Sequence, residues 1–219
     1  MANERGSRLR RAGIGLLELL ISVAALGVIM TAVAMVQVRS NDESASMVAR
    51  TTAEANACRV LDRVAEELTG VGKTLLFPDP TTTFGASTLV FQRPIGVSNA
   101  GVKLWGNPSR LELRMGTGEL DNGADDNSDG LIDEREIALT RDFGTGNART
   151  IVLCTNIADL APGELVNGVD DNGNGVVDEA GFNVRRVGDL LNVRVCVEQP
   201  FAGDQVTRSW VDTSIVLHN

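Results

Sequence analysis

From Ile14 to Val38 the chain is apolar almost without interruption, and Glu18 is its one charged residue. As a helix this run spans roughly 37 Å, enough to cross a bilayer with some tilt. After Arg39–Ser44 the pattern turns amphipathic. Ala57, Leu61, Val64 and Leu68 recur at three- and four-residue spacing, while Arg59, Asp62, Arg63, Glu66 and Glu67 take the other face. Cys58 falls at helical spacing with Leu61 and Ala65 and reads as a small core residue. No proline interrupts 14–70, and Gly70 and Gly72 mark the stop. The pattern predicts one helix of about 55 residues, or two helices hinged near Ser40–Ser46.

Beyond Lys73 the period shortens. The runs 87–92, 110–115, 135–141, 149–155, 183–187, 190–198 and 209–218 read as strands, punctuated by Gly, Pro, Asn and Asp. The expected fold class is α+β: a long N-terminal helix with a membrane-spanning half and an amphipathic half, the latter packed on an antiparallel sheet. The divisions are 1–13, a basic leader; 14–38, the apolar helix; 39–70, its amphipathic continuation; and 71–219, a β-rich domain.

Charge refines this picture. The net charge is −9 and the pI near 4.7, so no nucleic-acid partner is expected. His218 is the only histidine and there is no tyrosine, which removes most His-based acid–base arrangements and argues against an enzyme. Much of the acid falls in two blocks that are copies of one another. GELDNGADDNSDGLIDE (118–134) aligns with GELVNGVDDNGNGVVDE (163–179) at an offset of 45 residues.

The first copy fits a twelve-position calcium loop. Asp125, Asn127 and Asp129 stand at positions 1, 3 and 5, and Gly130 occupies the sharp turn at 6. Leu131 offers its carbonyl at 7, Asp133 stands at 9, and Glu136 closes the shell at 12. The second copy offers Asp170, Asn172, Asn174, Val176 and Asp178, but position 12 is Gly181. There Asp178, Glu179 or a distant residue must substitute, and binding is expected to be weaker. Strands rather than helices flank both copies, so the reading is of two calcium-loop insertions, 118–136 and 163–181, in a β-domain. Calcium would neutralise closely spaced carboxylates and pin segments without a core of their own. The alternative is a pair of solvated Asx–Gly turns.

The cysteines are Cys58, Cys154 and Cys196, with no CxxC. Cys196 falls on the more polar side of the alternation in LLNVRVCVE. A Cys154–Cys196 disulfide suits a domain outside the cytoplasm, and two unpaired thiols are the alternative.

Arg5, Arg8, Arg10 and Arg11 precede the apolar run. By the positive-inside rule this end stays cytoplasmic and the C-terminal domain is exported. The run is too long for a secretory signal peptide and its far end is a poor cleavage site. A plain anchor leaves Glu18 unexplained, because a carboxylate in lipid is costly.

Gly13 followed by Ile14-Gly15-Leu16-Leu17-Glu18 resembles the type IV prepilin processing site. The resemblance implies that an inner-membrane prepilin peptidase cuts between Gly13 and Ile14 and methylates the new amine of Ile14. It also implies that Glu18 pairs with the N-terminal amine of a neighbouring subunit as other pilin-like subunits assemble through this helix. The departures are Ile at the first mature position, where Phe or Met is usual, and Gly15, where a small hydroxyl residue is common. TSIVLHN, near the C-terminus, resembles the last strand of J-type minor pseudopilins and W-type minor pilins. The expectation is a single-pass inner-membrane pseudopilin of a type II secretion pseudopilus, its domain periplasmic or extracellular within a filament. The alternatives are a minor type IV pilin of a pilus or DNA-uptake filament, and a membrane-anchored calcium-dependent adhesin.

Overall fold

The structure, a computed structural model, describes residues 15–202 and 205–217. The leader, Gly13 and Ile14 lie outside the described residues. Contacts divide the chain into two units, 1–44 and 45–219, with the boundary inside the first helix.

Helix α1 runs Leu16–Leu68, 53 residues. In the first unit its apolar side chains are exposed throughout, and it is long and apolar enough to cross a membrane by length and composition. Glu18 lies in its first turn.

In the second unit α1 packs on the sheet. Ala49, Ala53, Ala57, Val60, Leu61, Val64 and Leu68 form its buried stripe. The three alanines, four residues apart, give that end of the stripe a flat apolar face. Cys58 falls outside the stripe and is exposed, which corrects its reading as a core residue. The helix stops at Gly70, whose φ of +81° is a left-handed conformation that favours glycine.

Nine strands follow: β1 (Thr88–Phe91), β2 (Pro94–Val97), β3 (Lys103–Trp105), β4 (Ser109–Met115), β5 (Arg135–Arg141), β6 (Arg149–Ile157), β7 (Phe182–Val187), β8 (Leu190–Phe201) and β9 (Gln205–Val216). Seven form one antiparallel sheet in the order β1-β4-β5-β6-β8-β7, with β9 along β8; β2 and β3 pair separately. The long β8 organises one end. It pairs with β9 from Leu190↔Val216 to Phe201↔Gln205. Along its other edge it pairs with β7 over Leu190–Val195 and meets β6 at Ile157↔Val197.

The helix-side core gathers Leu89, Phe91, Leu111, Ile137, Leu139, Phe182, Val184 and the alternating Val193, Val195 and Val197 of β8. Alternation therefore sends Glu136, Ala138, Cys196 and Glu198 to the opposite face, and they too are buried. The first repeat segment connects β4 to β5 and the second connects β6 to β7.

This geometry overturns the expected disulfide. Cys154 and Cys196 are free thiols. Cys154 packs against the helix-side core near Arg59, whereas Cys196 lies on the other face near Glu198, Arg208 and Glu179. The sheet separates them. Burial pushes both thiols up, Cys154 to about 11 and Cys196 to about 12.

Candidate metal-binding loops

The two repeats fold as one structure built twice. Each opens where a backbone amide bonds the carbonyl of a glutamate: Gly116 N to Glu134 O at 2.9 Å, and Ala161 N to Glu179 O at 2.8 Å. Each then curls onto its own acids. Asp125 accepts from the amides of Asp129 (3.2 Å) and Gly130 (2.9 Å), and Asp170 accepts from those of Asn174 (3.0 Å) and Gly175 (2.7 Å). Asn127 and Asn172 each accept from the amide two residues on, as do Asp129 and Asn174. Gly130 and Gly175 take φ values of +89° and +87° at the sharp turn. Leu131 and Val176 plug each loop into the domain, 1% and 4% exposed.

Three predicted ligands are committed elsewhere. Asp133 turns back, at a φ of +52°, and accepts from the amides of Asn122 and Gly123. Asp178 does the same with Asn167 and Gly168. Both position-9 acids thus brace a neighbouring turn. Glu136, expected to close the first loop, belongs to β5. Its carboxylate accepts from Arg114 and from the Thr117 hydroxyl. Glycine stands at 181 for a steric reason: a Cβ there would lie 2.0 Å from the Ala158 carbonyl oxygen.

Other carboxylates stand beside the loops instead. Glu119 accepts from the Asn127 amide at 2.9 Å, and Glu134 accepts from the Asn127 side-chain amide at 2.9 Å. In the second copy Glu164 accepts from the Asn172 amide at 3.1 Å. Glu179 accepts from the Asn174 side chain at 2.6 Å and pairs with Arg194 at 3.1 Å. All four are at most 6% exposed. One oxygen each of Glu119, Glu134 and Glu164 is buried with no hydrogen-bond partner. Burial raises the pKa of Glu134, and the charges of Asp129 and Glu119 add to the rise. Burial likewise raises Glu179, with Arg194 and Asn174 opposing and Glu164 adding to it.

Sequence reasoning passed over Glu119, Glu134 and Glu164. The signal was available, since these acids recur in both copies at the same offset whereas Glu136 does not.

The loops are strapped to the sheet differently. In the second, Arg185 donates to the Gly175 carbonyl at 2.5 Å, and Trp210 lines a cleft of about 160 Å³ with Asn172, Asn174 and Glu179. In the first, Asp125, Gly130 and Leu131 line a cleft of about 300 Å³ with Glu198 and Arg208. Among the described residues, no three Asp, Glu, His or Cys side chains stand close enough to hold a metal ion without rearrangement.

Glu18 takes part in no ion pair among the described residues, and its backbone carbonyl accepts from the Ser22 hydroxyl at 2.8 Å. No protein-family model, curated protein or solved structure matches this chain.

Proposed function

We propose that this protein is a minor pilin-like subunit, inserted in the inner membrane by the first half of α1 and incorporated from there into a filament. The observation that carries the proposal is Glu18, a lone carboxylate on an exposed apolar helix, five residues after Gly13. A carboxylate in an apolar bundle needs a cation. Cleavage after Gly13 creates one at the amine of Ile14, on the same chain and on every neighbouring copy. Glu18 then sets register between subunits rather than adding stability to one.

The layout of α1 supports the same reading. Its stripe from Ala49 to Leu68 is satisfied by the sheet domain, while the apolar side chains from Leu16 to Val38 are exposed. Lipid, and then the helices of other subunits, are the two surroundings suited to that segment. Within the family reading, the type II secretion pseudopilus is placed first and a type IV pilus second. Deletion separates them: loss of a secreted enzyme marks the former, and loss of twitching or DNA uptake the latter.

The direct test is mass spectrometry of the protein from native membranes. The expected N-terminus is N-methylated Ile14. A chain intact from Met1, or trimmed past Val38, overturns the proposal.

A further inference from the structure

We infer that each repeat is a divalent-cation site closed by two glutamates that flank the loop: Glu119 and Glu134 in the first copy, Glu164 and Glu179 in the second. The preferred ion is calcium. This inference is independent of filament assembly.

The argument begins with the unpartnered oxygens. A buried carboxylate oxygen without a donor is costly, and native folds rarely tolerate one. Here there are three, on Glu119, Glu134 and Glu164, and those of Glu119 and Glu164 stand at corresponding places in two copies of one loop; Glu179, the counterpart of Glu134, has its oxygens taken by Asn174 and Arg194. A local packing fault would not recur at the same offset. Their positions are directed as well. The partnered oxygens of Glu119 and Glu134 both bond Asn127, one through its backbone amide and one through its side chain. The free oxygens therefore belong to the groups that surround the third position of the loop.

The chemistry of the donor set selects the ion. Glu119 and Glu134 join Asp125, Asn127, Asp129 and the Leu131 carbonyl, all of them hard oxygen donors. A flexible shell of six or more oxygens suits calcium better than magnesium, which demands a near-ideal octahedron. No thiol or imidazole in either loop favours a softer metal. In the second copy Glu164 and Glu179 join Asp170, Asn172, Asn174 and the Val176 carbonyl. Two features weaken it: Asn174 replaces Asp129, and Arg194 already neutralises part of Glu179. Gly181 is no defect, because position 12 contributes to neither site.

The test uses the full-length chain in detergent, freed of metal by chelation and titrated calorimetrically with CaCl2. Two sites per chain are expected, the stronger in the first loop. The paired variant Glu119→Gln/Glu134→Gln retains one site, Glu164→Gln/Glu179→Gln retains the other, and Glu136→Gln retains both. Terbium emission sensitised by Trp210 is lost only in the second pair. The variant Glu119→Gln/Glu164→Gln removes two unpartnered charges. It should melt no lower than wild type in chelator, and calcium should no longer raise its melting temperature. The inference is overturned if the chelated wild type takes up no calcium, if either pair of variants keeps both sites, if Glu136→Gln loses one, or if Glu119→Gln/Glu164→Gln keeps the calcium-induced rise.

Discussion

Arg114 and Glu136 sit opposite one another in the β4–β5 register, with guanidinium and carboxylate 2.5 Å apart. This contact removes Glu136 from the loop that precedes it. A residue at the twelfth position of a helix-flanked calcium loop would turn inward on the helix. Here a strand begins at Arg135, and Glu136 projects across the ladder instead. Glu136→Gln should lower stability by about 1–3 kcal/mol, because a buried charged acceptor is lost. Calcium affinity should not change. Urea unfolding and calorimetry on the same variant separate the two effects, and a loss of affinity with unchanged stability contradicts the assignment.

Glu67 ties α1 to the sheet domain. Its carboxylate is buried and lies 2.5 Å from Arg141, 3.0 Å from Arg93 and 3.4 Å from Arg63. The arginines are each nearly half exposed, so water shares in stabilising them. Glu67→Ala leaves Arg93 and Arg141 without their anion, while Arg63 keeps Glu66 at 2.6 Å, and the lost charged hydrogen bonds should cost about 2 kcal/mol. Arg141→Ala leaves two cations in place and should cost about 1 kcal/mol or less. Equal losses in denaturant unfolding would contradict this asymmetry.

Cys154 makes stability sensitive to alkali. Its thiol is held up at about 11 by burial, against about 8.5 in an unfolded chain. Between those values the unfolded chain gives up a proton that the folded chain keeps, so rising pH favours unfolding. The thiol's contribution is thus fully present below about pH 8.5. It declines above that by at most about 1.4 kcal/mol per pH unit. Cys154→Ala should make the decline between about pH 8.5 and 11 about half as steep, because Cys196, pushed up to about 12, supplies the other half. Under non-reducing conditions at pH 8, a thiol reagent should label Cys58 first, and no disulfide should be found by mass spectrometry.

Gly181 lies where the second loop rejoins the sheet, against the backbone at Ala158. Gly181→Ala forces that backbone apart and should cost about 1–3 kcal/mol, as overpacking does in cores generally. A melting temperature equal to wild type would refute the close approach.

Glu18→Ala should leave membrane insertion intact, because the apolar run is long enough without it. Incorporation into filaments should fall at least tenfold, a loss of about 1.4 kcal/mol or more in assembly. Membrane fractionation and the sheared filament fraction report the two outcomes separately.

Most elements were legible in the sequence. The helix stripe at 57, 61, 64 and 68 and the β5 strand at 135–141 lie where their periods place them. The β2–β3 pair was not legible. Its strands are four and three residues long, contain Pro94 and Gly96, and leave Ile95 and Val97 exposed, so no alternation marks them. The disulfide failed for a related reason: Cys154 and Cys196 each suit a strand, and only the assembled sheet puts them on opposite faces.

The sequence by itself determined the apolar helix with its single acid, the amphipathic continuation, the strands and the doubled loop. Each of these is written in spacing along the chain, and spacing is what local backbone geometry reads. The tertiary structure alone decided which carboxylates face the loops. Glu119 and Glu134 are 15 positions apart in the sequence and meet around Asn127 only when the β4–β5 register closes the connection between them. Glu136, two residues further on, is drawn to Arg114 by that same register. Burial then makes the distinction matter, because a carboxylate withdrawn from water must find a cation or a donor.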